Sequence, residues 1–247
     1  MALSKLTISI YFLSVVLFVQ MGAGDDPLQR LGIDCRKSNY FPAGAGSRYH
    51  KNLNILLSRL QSRTPETGFA LEYVGNPKSD HRVYGRAFCR RDISSVDCRA
   101  CIGAAIAWIF EKCPLKKRAV ALYECCCVLI YTHKNIFHKI GDTTYYIYRT
   151  QNVTSPASVE TITEFLDHLT VEAIATKTYF AKGEVKLAKS ESTLYGLVQC
   201  ASDISPADCK TCMGELMARI PDYTGKGGQF LSATCTLQYE FYRFFNA

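Results

Sequence analysis

Twelve of the 247 residues are cysteines, and their spacing is the strongest chemical signal in the sequence. Three of them follow the pattern C-x8-C-x2-C, which recurs later in the chain; the members are Cys89, Cys98, Cys101, Cys200, Cys209 and Cys212. Two thiolates spaced as C-x2-C suit a zinc site, in which a second pair would complete the tetrahedral shell. The alternative is that the sulfur atoms pair as disulfides, which is the usual outcome in an oxidising compartment.

The amino terminus indicates which compartment these cysteines meet. A basic start is followed by an almost unbroken apolar run over residues 6–19, and small residues at 22–24 precede an acidic pair. This order is typical of a secretory signal peptide, here residues 1–24; a short membrane anchor is the alternative. No later apolar run is long enough to span a bilayer. We therefore expect a secreted, extracellular protein without a transmembrane anchor, and disulfides rather than zinc.

The cysteine pattern belongs to an internal repeat. The motif Y-G-x3-C-x2-D-I-S-x2-D-C-x2-C begins at Tyr84 and begins again, 111 residues later, at Tyr195. A C-x-L-x-Y motif follows it in both copies, starting at Cys127 and Cys235. Such self-similarity indicates two copies of one structural unit. The two abutting domains are expected at residues 25–134 and 138–247.

Each repeat contains helical and extended patterns. Apolar residues recur at helical spacing within residues 49–63 and again within 162–169. A second helix is expected to begin after Ser94 and after Ser205, because a serine N-cap with an aspartate three residues later satisfies the first N–H groups of a helix. Segments rich in β-branched and aromatic residues are predicted to be strands: 119–131 and 231–245. The pattern predicts an α+β fold.

No combination of residues specifies a catalytic site. The five histidines show no metal-ligand spacing and accompany no nucleophile motif: His50, His81, His133, His138 and His168. A cysteine protease needs a free thiolate beside a histidine, and a C-x-x-C redox enzyme needs a thioredoxin-like βαβ context that this pattern lacks. We expect neither an enzyme nor a cofactor or metal. The net charge of +7 is moderate, and no motif indicates nucleic-acid binding.

The doubled motif, the later C-x-L-x-Y strand and the signal peptide together resemble the plant cysteine-rich repeat secretory proteins. Their repeated unit is the ginkbilobin-2-homologous, or stress-antifungal, domain. The resemblance covers essentially the whole chain after the signal peptide. It implies that each domain consists of two helices packed on a five-stranded antiparallel sheet and stapled by disulfides. In this family the same pair of domains also forms the ectodomains of cysteine-rich receptor-like kinases and of plasmodesmata-located proteins.

The resemblance also implies a pairing of the cysteines, in which the six of one domain bond first to fifth, second to third and fourth to sixth. Carried over to this sequence, the implied bonds are Cys35–Cys113, Cys89–Cys98, Cys101–Cys127, Cys200–Cys209 and Cys212–Cys235. The second repeat lacks both partners of the first bond, since an offset of 111 leads to Tyr146 and Thr224. Their joint absence supports a bond between these two positions. It also predicts that the second domain is the less stable of the two against unfolding.

Cys125 and Cys126 are two thiols beyond the family pattern. We choose their neighbour Cys127 as the partner of Cys101 because it begins the C-x-L-x-Y motif, although Cys125 or Cys126 could take its place. The extra thiols are interpreted as buried free thiols or as a local bridge. Intermolecular pairing or redox sensing is the alternative.

Some members of the family bind mannose and inhibit fungi. Their ligand residues are an Asn just after the first Cys, an Arg six residues before the last Cys and a Glu five residues after it. The matching positions in the first repeat are Arg36, Ala121 and Thr132, and those in the second are Ile147, Gln229 and Glu240. Only Glu240 is retained, so Gln229 and Glu240 are the candidate sugar-binding residues and binding by the family's mechanism is not expected. Glu240 alone is interpreted as a surface carboxylate.

Two further features concern the surface. One is a group of basic residues, which we interpret as a face exposed to solvent. Contact with acidic polysaccharide or anionic lipid is the alternative. The members of the group are Arg90, Arg91, Lys112, Lys116, Lys117 and Arg118. Asn152 begins an N-x-T sequon near the boundary between the repeats and is predicted to carry a glycan.

We therefore predict a secreted, non-enzymatic tandem binding module of the plant apoplast. It is expected to serve stress, defence or signalling through protein contacts, with extracellular proteins or cell-wall glycans as partners. One alternative is an antifungal lectin that binds mannose or another carbohydrate. The other is an extracellular thiol redox sensor centred on Cys125 and Cys126.

Overall fold

The chain forms two similar units, each built from one sheet and the helices that cover it. The structure, a computed structural model, describes residues 30–35, 44, 46–124, 126–148, 155, 157–188, 191–222 and 227–245. The predicted signal peptide lies outside these residues, as do Cys125, Asn152 and Thr224.

The first unit runs in the order strand, helix, two strands, helix, two strands. Its elements are β1 (Arg30–Asp34), α1 (Arg48–Thr67), β2 (Phe69–Val74), β3 (Val83–Cys89), α2 (Ser95–Lys112), β4 (Arg118–Tyr123) and β5 (Cys127–Thr132). The second unit repeats this order. Its elements are β6 (Thr144–Tyr148), α3 (Val159–Ile174), β7 (Phe180–Lys186), β8 (Thr193–Cys200), α4 (Pro206–Met217), a short 3-10 turn (Ile220–Asp222), β9 (Gly227–Ser232) and β10 (Cys235–Glu240).

Both sheets are antiparallel and have the same strand order. The first is β1-β4-β5-β3-β2 and the second is β6-β9-β10-β8-β7. In each unit two helices pack on one face of the sheet and enclose an apolar core. This confirms the predicted α+β class, with two helices on a five-stranded antiparallel sheet in each of two tandem units.

The helices begin where local chemistry predicts. Ser94 caps α2 by accepting a hydrogen bond from the backbone N–H of Asp97, at 3.1 Å, and Ser205 caps α4 in the same way. The leucines of the 49–63 segment form the buried stripe of α1. That helix ends at Gly68, whose φ of 72° lies in the left-handed region that favours glycine.

Packing explains why the repeated motif has a glycine after its tyrosine. A Cβ atom at Gly85 would lie 2.7 Å from Leu56 Cδ2 of α1, and one at Gly196 would lie 2.6 Å from Phe165 Cε1 of α3. Real Cβ atoms are essentially never this close to a neighbour, so a larger residue would require the Leu56 or Phe165 side chain to move. The glycine therefore sets how closely the first helix of each unit approaches the sheet.

Residues 241–245, predicted as part of a strand, are not in the sheet. The chain leaves the sheet after Glu240. The ring of Phe245 then packs edge-on against Tyr195, with 6.0 Å between ring centroids. The aromatic side chains that suggested a strand are used for packing outside it.

The disulfides attach the second helix of each unit to the sheet. The structure contains the bonds Cys35–Cys113, Cys89–Cys98, Cys101–Cys127, Cys200–Cys209 and Cys212–Cys235, the same pairs that the family resemblance implies. Cys89 and Cys127 are cross-strand neighbours on β3 and β5, and their partners lie three residues apart on α2. Two bonds therefore run side by side from one helical turn to two adjacent strands.

The sheet register corrects one sequence match. The pairings of β1 with β4 and of β6 with β9 place Asp34 and Ile147 at equivalent positions. Cys35 therefore corresponds to Tyr148 and not to Tyr146, as the constant offset of 111 had predicted. Neither Tyr146 nor Tyr148 is a cysteine, so the second unit lacks the partner under either match.

Removing the long-range bond of the first unit tests what these cross-links contribute. The variant Cys35→Ser/Cys113→Ser loses a cross-link that spans 78 residues, so its free energy of unfolding should fall by about 4 kcal/mol through the added freedom of the unfolded chain. In Cys200→Ser/Cys209→Ser the lost bond spans only nine residues, and the expected fall is about 2.5 kcal/mol. Urea unfolding of both variants measures the difference. An equal or larger loss in the second variant would contradict this account.

Candidate functional site

The two sheets meet through the faces that their helices leave open. Buried apolar side chains from both units form one cluster there: Phe88, Val120, Leu122, Val128 and Ile130 from the first unit, and Ala201, Leu231 and Ala233 from the second. Burial of this surface removes apolar area from water, which favours association of the units. Because helices cover one face and the neighbouring unit covers the other, strands β4, β5, β9 and β10 are buried at every position.

The interface continues along two strand edges. The Tyr145 ring of β6 lies against Gly32 of β1, where an added Cβ would come within 2.5 Å of the ring. The Tyr145 hydroxyl donates a hydrogen bond to the carbonyl oxygen of Ile33, at 2.9 Å. This close contact requires glycine at position 32.

A buried ion pair joins the units at the centre of the polar part of the interface. The side chains of Arg86 and Asp203 are 1% and 3% exposed, and Arg86 Nη2 lies 2.7 Å from Asp203 Oδ2. The same guanidinium donates to the carbonyl oxygens of Ile136 and Lys139 and to the hydroxyl of Thr234. Burial lowers the pKa of Arg86, and the nearby Asp203 carboxylate opposes that shift. One side chain of the first unit therefore contacts both the segment around Ile136 and Lys139, which connects the two sheets, and Thr234 and Asp203 of the second unit.

The aspartate of the repeated D-I-S motif has an arginine partner in both copies. Asp203 is bound by Arg86 and also accepts a hydrogen bond from the backbone N–H of His138, at 2.9 Å. Its counterpart Asp92 accepts two hydrogen bonds from Arg90, both at 2.7 Å. The first unit supplies both guanidinium groups.

Two glutamines of the second unit extend this network. Gln199 donates through Nε2 to the carbonyl oxygen of Cys89, at 2.8 Å, and accepts from the backbone N–H of Arg91, at 3.1 Å. Gln229 donates to the carbonyl oxygen of Glu124. Each amide therefore satisfies a backbone group of the facing unit.

Part of the predicted basic face is also interior. The Arg118 guanidinium donates to the carboxylates of Asp34 and Asp142 and to the hydroxyl of Thr143, each at 2.7 Å. Arg118 and Lys116 are both buried. The interpretation of this group as a solvated face is wrong for these two residues, because both side chains are enclosed within the fold.

The two candidate sugar-binding residues lie inside the molecule. Gln229 on β9 is 3% exposed and Glu240 on β10 is 2% exposed. The interpretation of Glu240 as a surface carboxylate is therefore wrong. Its carboxylate lies over Gly227 of the adjacent strand, where an added Cβ would collide with it. The first-repeat positions Ala121 and Thr132 are buried as well.

The register also changes which residue of the first unit matches Gln229. Val120 pairs with Ile130, and Gln229 pairs with Gln238 at the equivalent place in the second sheet. Gln229 therefore corresponds to Val120 and not to Ala121. The hairpin between β4 and β5 is one residue longer than its counterpart, so counting back from the last cysteine shifts the match.

Cys126 is not a free thiol: it is disulfide-bonded, like every other cysteine that the structure describes. The free-thiol interpretation of Cys126 is therefore wrong, whereas the interpretation as part of a bridge agrees with the structure. The zinc alternative fails because the described sulfur atoms are in disulfides. Cys125 lies outside the described residues.

One repeated contact was missed from the sequence. Phe137 and Phe245 each lie ten residues after the last cysteine of their repeat, and each ring packs edge-on against the motif tyrosine, Tyr84 or Tyr195. The centroid distances are 5.3 and 6.0 Å. The signal was present as a phenylalanine at a fixed distance from the C-x-L-x-Y motif.

Comparison with known proteins agrees with this architecture. The sequence matches the salt stress response/antifungal family twice, at residues 34–134 and 145–242. The chain belongs to this family. Its relatives include "Cysteine-rich repeat secretory protein 38" of Arabidopsis thaliana, 37% identical over 80% of this chain and 79% of that protein. The "Antimicrobial ginkbilobin-2-like protein" of Castanea crenata is 33% identical over 99% of this chain and all of that protein. The chain also matches 31% of the length of "Cysteine-rich receptor-like protein kinase 7" of Arabidopsis thaliana, at 34% identity.

Solved structures show the same fold. The tandem DUF26 ectodomain of the Arabidopsis thaliana cysteine-rich receptor-like protein PDLP8 superposes with a TM-score of 0.70, over 87% of this chain and 98% of that chain, at 22% identity. The corresponding ectodomain of PDLP5 gives a TM-score of 0.66 at 21% identity, over 86% of this chain and 99% of that chain. Family membership confirms the resemblance and the extracellular location that the sequence predicted.

Membrane spans and metal clusters are both missing from the described residues. No helix among them is long and apolar enough to cross a membrane. Within the same part of the chain, no group of three or more His, Cys, Asp or Glu side chains is arranged to hold a metal ion.

Breaking the central ion pair should weaken the whole protein. Asp203→Ala leaves the buried Arg86 guanidinium without its counter-ion, so the free energy of unfolding should fall by about 3–5 kcal/mol. The matched control is Glu184→Ala, which removes an ion pair to Arg243 whose side chains are 46% and 47% exposed; it should cost less than about 1 kcal/mol. Urea unfolding compares the two variants. Similar losses in both would show that the Arg86–Asp203 pair has no special role.

Proposed function

We propose that this protein is a secreted, non-enzymatic tandem binding module that acts in stress, defence or signalling through protein contacts. The observation that carries the proposal is the burial of the central strands on both faces, which encloses the candidate sugar-binding residues Gln229 and Glu240. Such burial favours recognition by the outer surfaces of the paired units. We also propose that the two units correspond to domains at residues 25–134 and 138–247.

Several features support a binding role rather than catalysis. Every described cysteine is disulfide-bonded, which removes the thiolate that a cysteine nucleophile requires. The outer surface retains exposed apolar and aromatic side chains of the kind that anchor protein contacts: Tyr73, Val96 and Phe110. A related segment also forms part of a receptor-like kinase, where it is one portion of a larger chain.

The names of the relatives support the biological setting. The family is described by salt stress response and antifungal activity, and the chestnut relative is named as antimicrobial. We propose that the chain acts in the same setting, in the apoplast, with extracellular proteins as its principal partners.

A pull-down tests the proposal. The disulfide-intact protein, immobilised and exposed to apoplastic fluid, should enrich specific extracellular proteins. The controls are an unrelated secreted protein of similar charge and the same protein after reduction and alkylation, which removes the cross-linked fold. If no protein is enriched above both controls, the proposed function is wrong.

Each of the two alternative functions requires particular residues to be accessible to solvent. An antifungal lectin that uses Gln229 and Glu240 requires both to reach solvent, whereas both are buried. A glycan array would favour the lectin if it showed binding that Gln229→Ala and Glu240→Ala abolish. A thiol sensor requires a reactive thiol at Cys125 or Cys126, and Cys126 is disulfide-bonded. Labelling of either residue in the native protein would favour the sensor.

A further inference from the structure

A groove lined by charged and polar residues and one glycine lies on the first unit, away from the interface between the sheets. It has a volume of about 390 Å³ and is bounded by the start of α1 and by the loop that joins β2 to β3. Its lining residues are Arg48, Asn52, Gly75, Asn76, Lys78 and Ser79. The volume falls within the range of small-molecule sites.

The loop wall of the groove is held by its own hydrogen bonds. Residues 76–79 form a turn in which the Ser79 N–H donates to the carbonyl oxygen of Asn76, at 3.0 Å, and Pro77 occupies the second position that proline favours. The Asn76 Oδ1 atom accepts from the backbone N–H of Lys78, also at 3.0 Å. These bonds fix the loop without help from a ligand.

The two walls are fastened to each other. Asn52 of α1 donates through Nδ2 to the carbonyl oxygen of His81 in the loop, at 2.8 Å. Gly75 has a φ of 107°, and an added Cβ there would lie 2.8 Å from the same Nδ2 atom. The groove is therefore preformed, which reduces the entropy that a ligand must offset on binding.

The residues that line the groove supply positive charge and hydrogen-bond donors and include no carboxylate. Arg48 and Lys78 are exposed, and neither forms an ion pair with another residue in the part of the chain that the structure describes. The Asn76 oxygen is used within the loop, which leaves its amide N–H groups to donate, and Ser79 offers a hydroxyl. The loop's carboxylate, Asp80, is not part of the lining. The groove thus presents cations and hydrogen-bond donors, so it suits an anionic ligand rich in acceptor oxygens.

The absence of apolar side chains from the lining distinguishes between kinds of anion. Protein contacts concentrate their energy in Trp, Tyr and Arg side chains; the lining has Arg48 but no aromatic residue. A sugar chain with carboxylates has the matching chemistry, since its hydroxyl oxygens and uronate groups accept hydrogen bonds along their whole length. We propose that this groove binds an acidic oligosaccharide, with Arg48 and Lys78 contacting its carboxylates. The proposal does not depend on the proposed protein contacts.

Two of the residues that line the groove have no counterpart on the first helix of the second unit. The N-caps Ser47 and Ser158 are equivalent, so Arg48 and Asn52 correspond to Val159 and Thr163. A guanidinium is thus replaced by an isopropyl group, and α3 carries Glu160 in its first turn. One binding site per chain is expected, on the first unit alone.

Calorimetry with the full secreted chain, its disulfides formed, tests the proposal. The probe is a galacturonic-acid oligosaccharide, compared with its fully methyl-esterified form and with a poly-glutamate peptide. We expect the acidic sugar to bind with a stoichiometry of one, the ester to bind at least about tenfold more weakly, and added salt to weaken binding. Arg48→Gln/Lys78→Gln should reduce affinity about tenfold or more, because each lost contact is a charge-assisted hydrogen bond.

The matched control is Lys177→Gln/Lys210→Gln, which removes the same charge from exposed positions of the second unit. It should leave affinity unchanged within about twofold. Equal losses in the two double variants, equal binding of the ester, equal binding of poly-glutamate, or no binding of the acidic sugar would each overturn the proposal. Both variants change exposed side chains, and near-UV circular dichroism checks that each is folded. The pull-down of extracellular proteins is an independent measurement, so the two proposals can fail separately.

Discussion

The open face of each sheet is the constraint on which the rest of the structure depends. Two helices cover only one side of a five-stranded sheet, and the other side carries apolar residues such as Leu122 and Leu231. Each unit covers this surface with the equivalent face of its neighbour, which removes both from water. The tandem arrangement is therefore part of the core and not a loose connection between two independent domains. It also explains why β4 and β5 of the first unit are nearly continuous apolar runs rather than alternating patterns.

The pairing of similar units has produced an asymmetric interface. The first unit supplies the guanidinium groups of Arg86 and Arg118, which pair with Asp203 and Asp142 of the second unit. A buried charge needs a partner and further hydrogen bonds to offset its desolvation, and Arg86 has both. At the position equivalent to Arg86, the repeat offset leads to a leucine, so the second unit has no copy of this contact. The two repeats share a common fold, but the arginines of these joining contacts come from the first repeat.

This division bears on where ligands can bind. Gln229 and Glu240 occupy the face that holds the units together, where their burial serves the interface. The surface that stays open belongs to the helices and to the loops between strands. The groove beside Arg48 is one such place, because its loop carries Lys78 and Asn76 in a fixed turn. A common fold that carries different surface residues in its two copies is compatible with more than one binding function.

The sequence alone determined the elements whose causes are local. Ser94 and Ser205 marked two helix starts because a cap acts within one turn, and the cysteine spacing indicated cross-links because it repeats in both units. Counting along the chain failed wherever a turn had changed length, as at the position matched to Gln229. Only the tertiary structure decided that Glu240 is interior and that Arg86 meets Asp203. Those two residues lie 117 positions apart, and their contact follows from the packing of one sheet on another, which no local pattern of residues encodes.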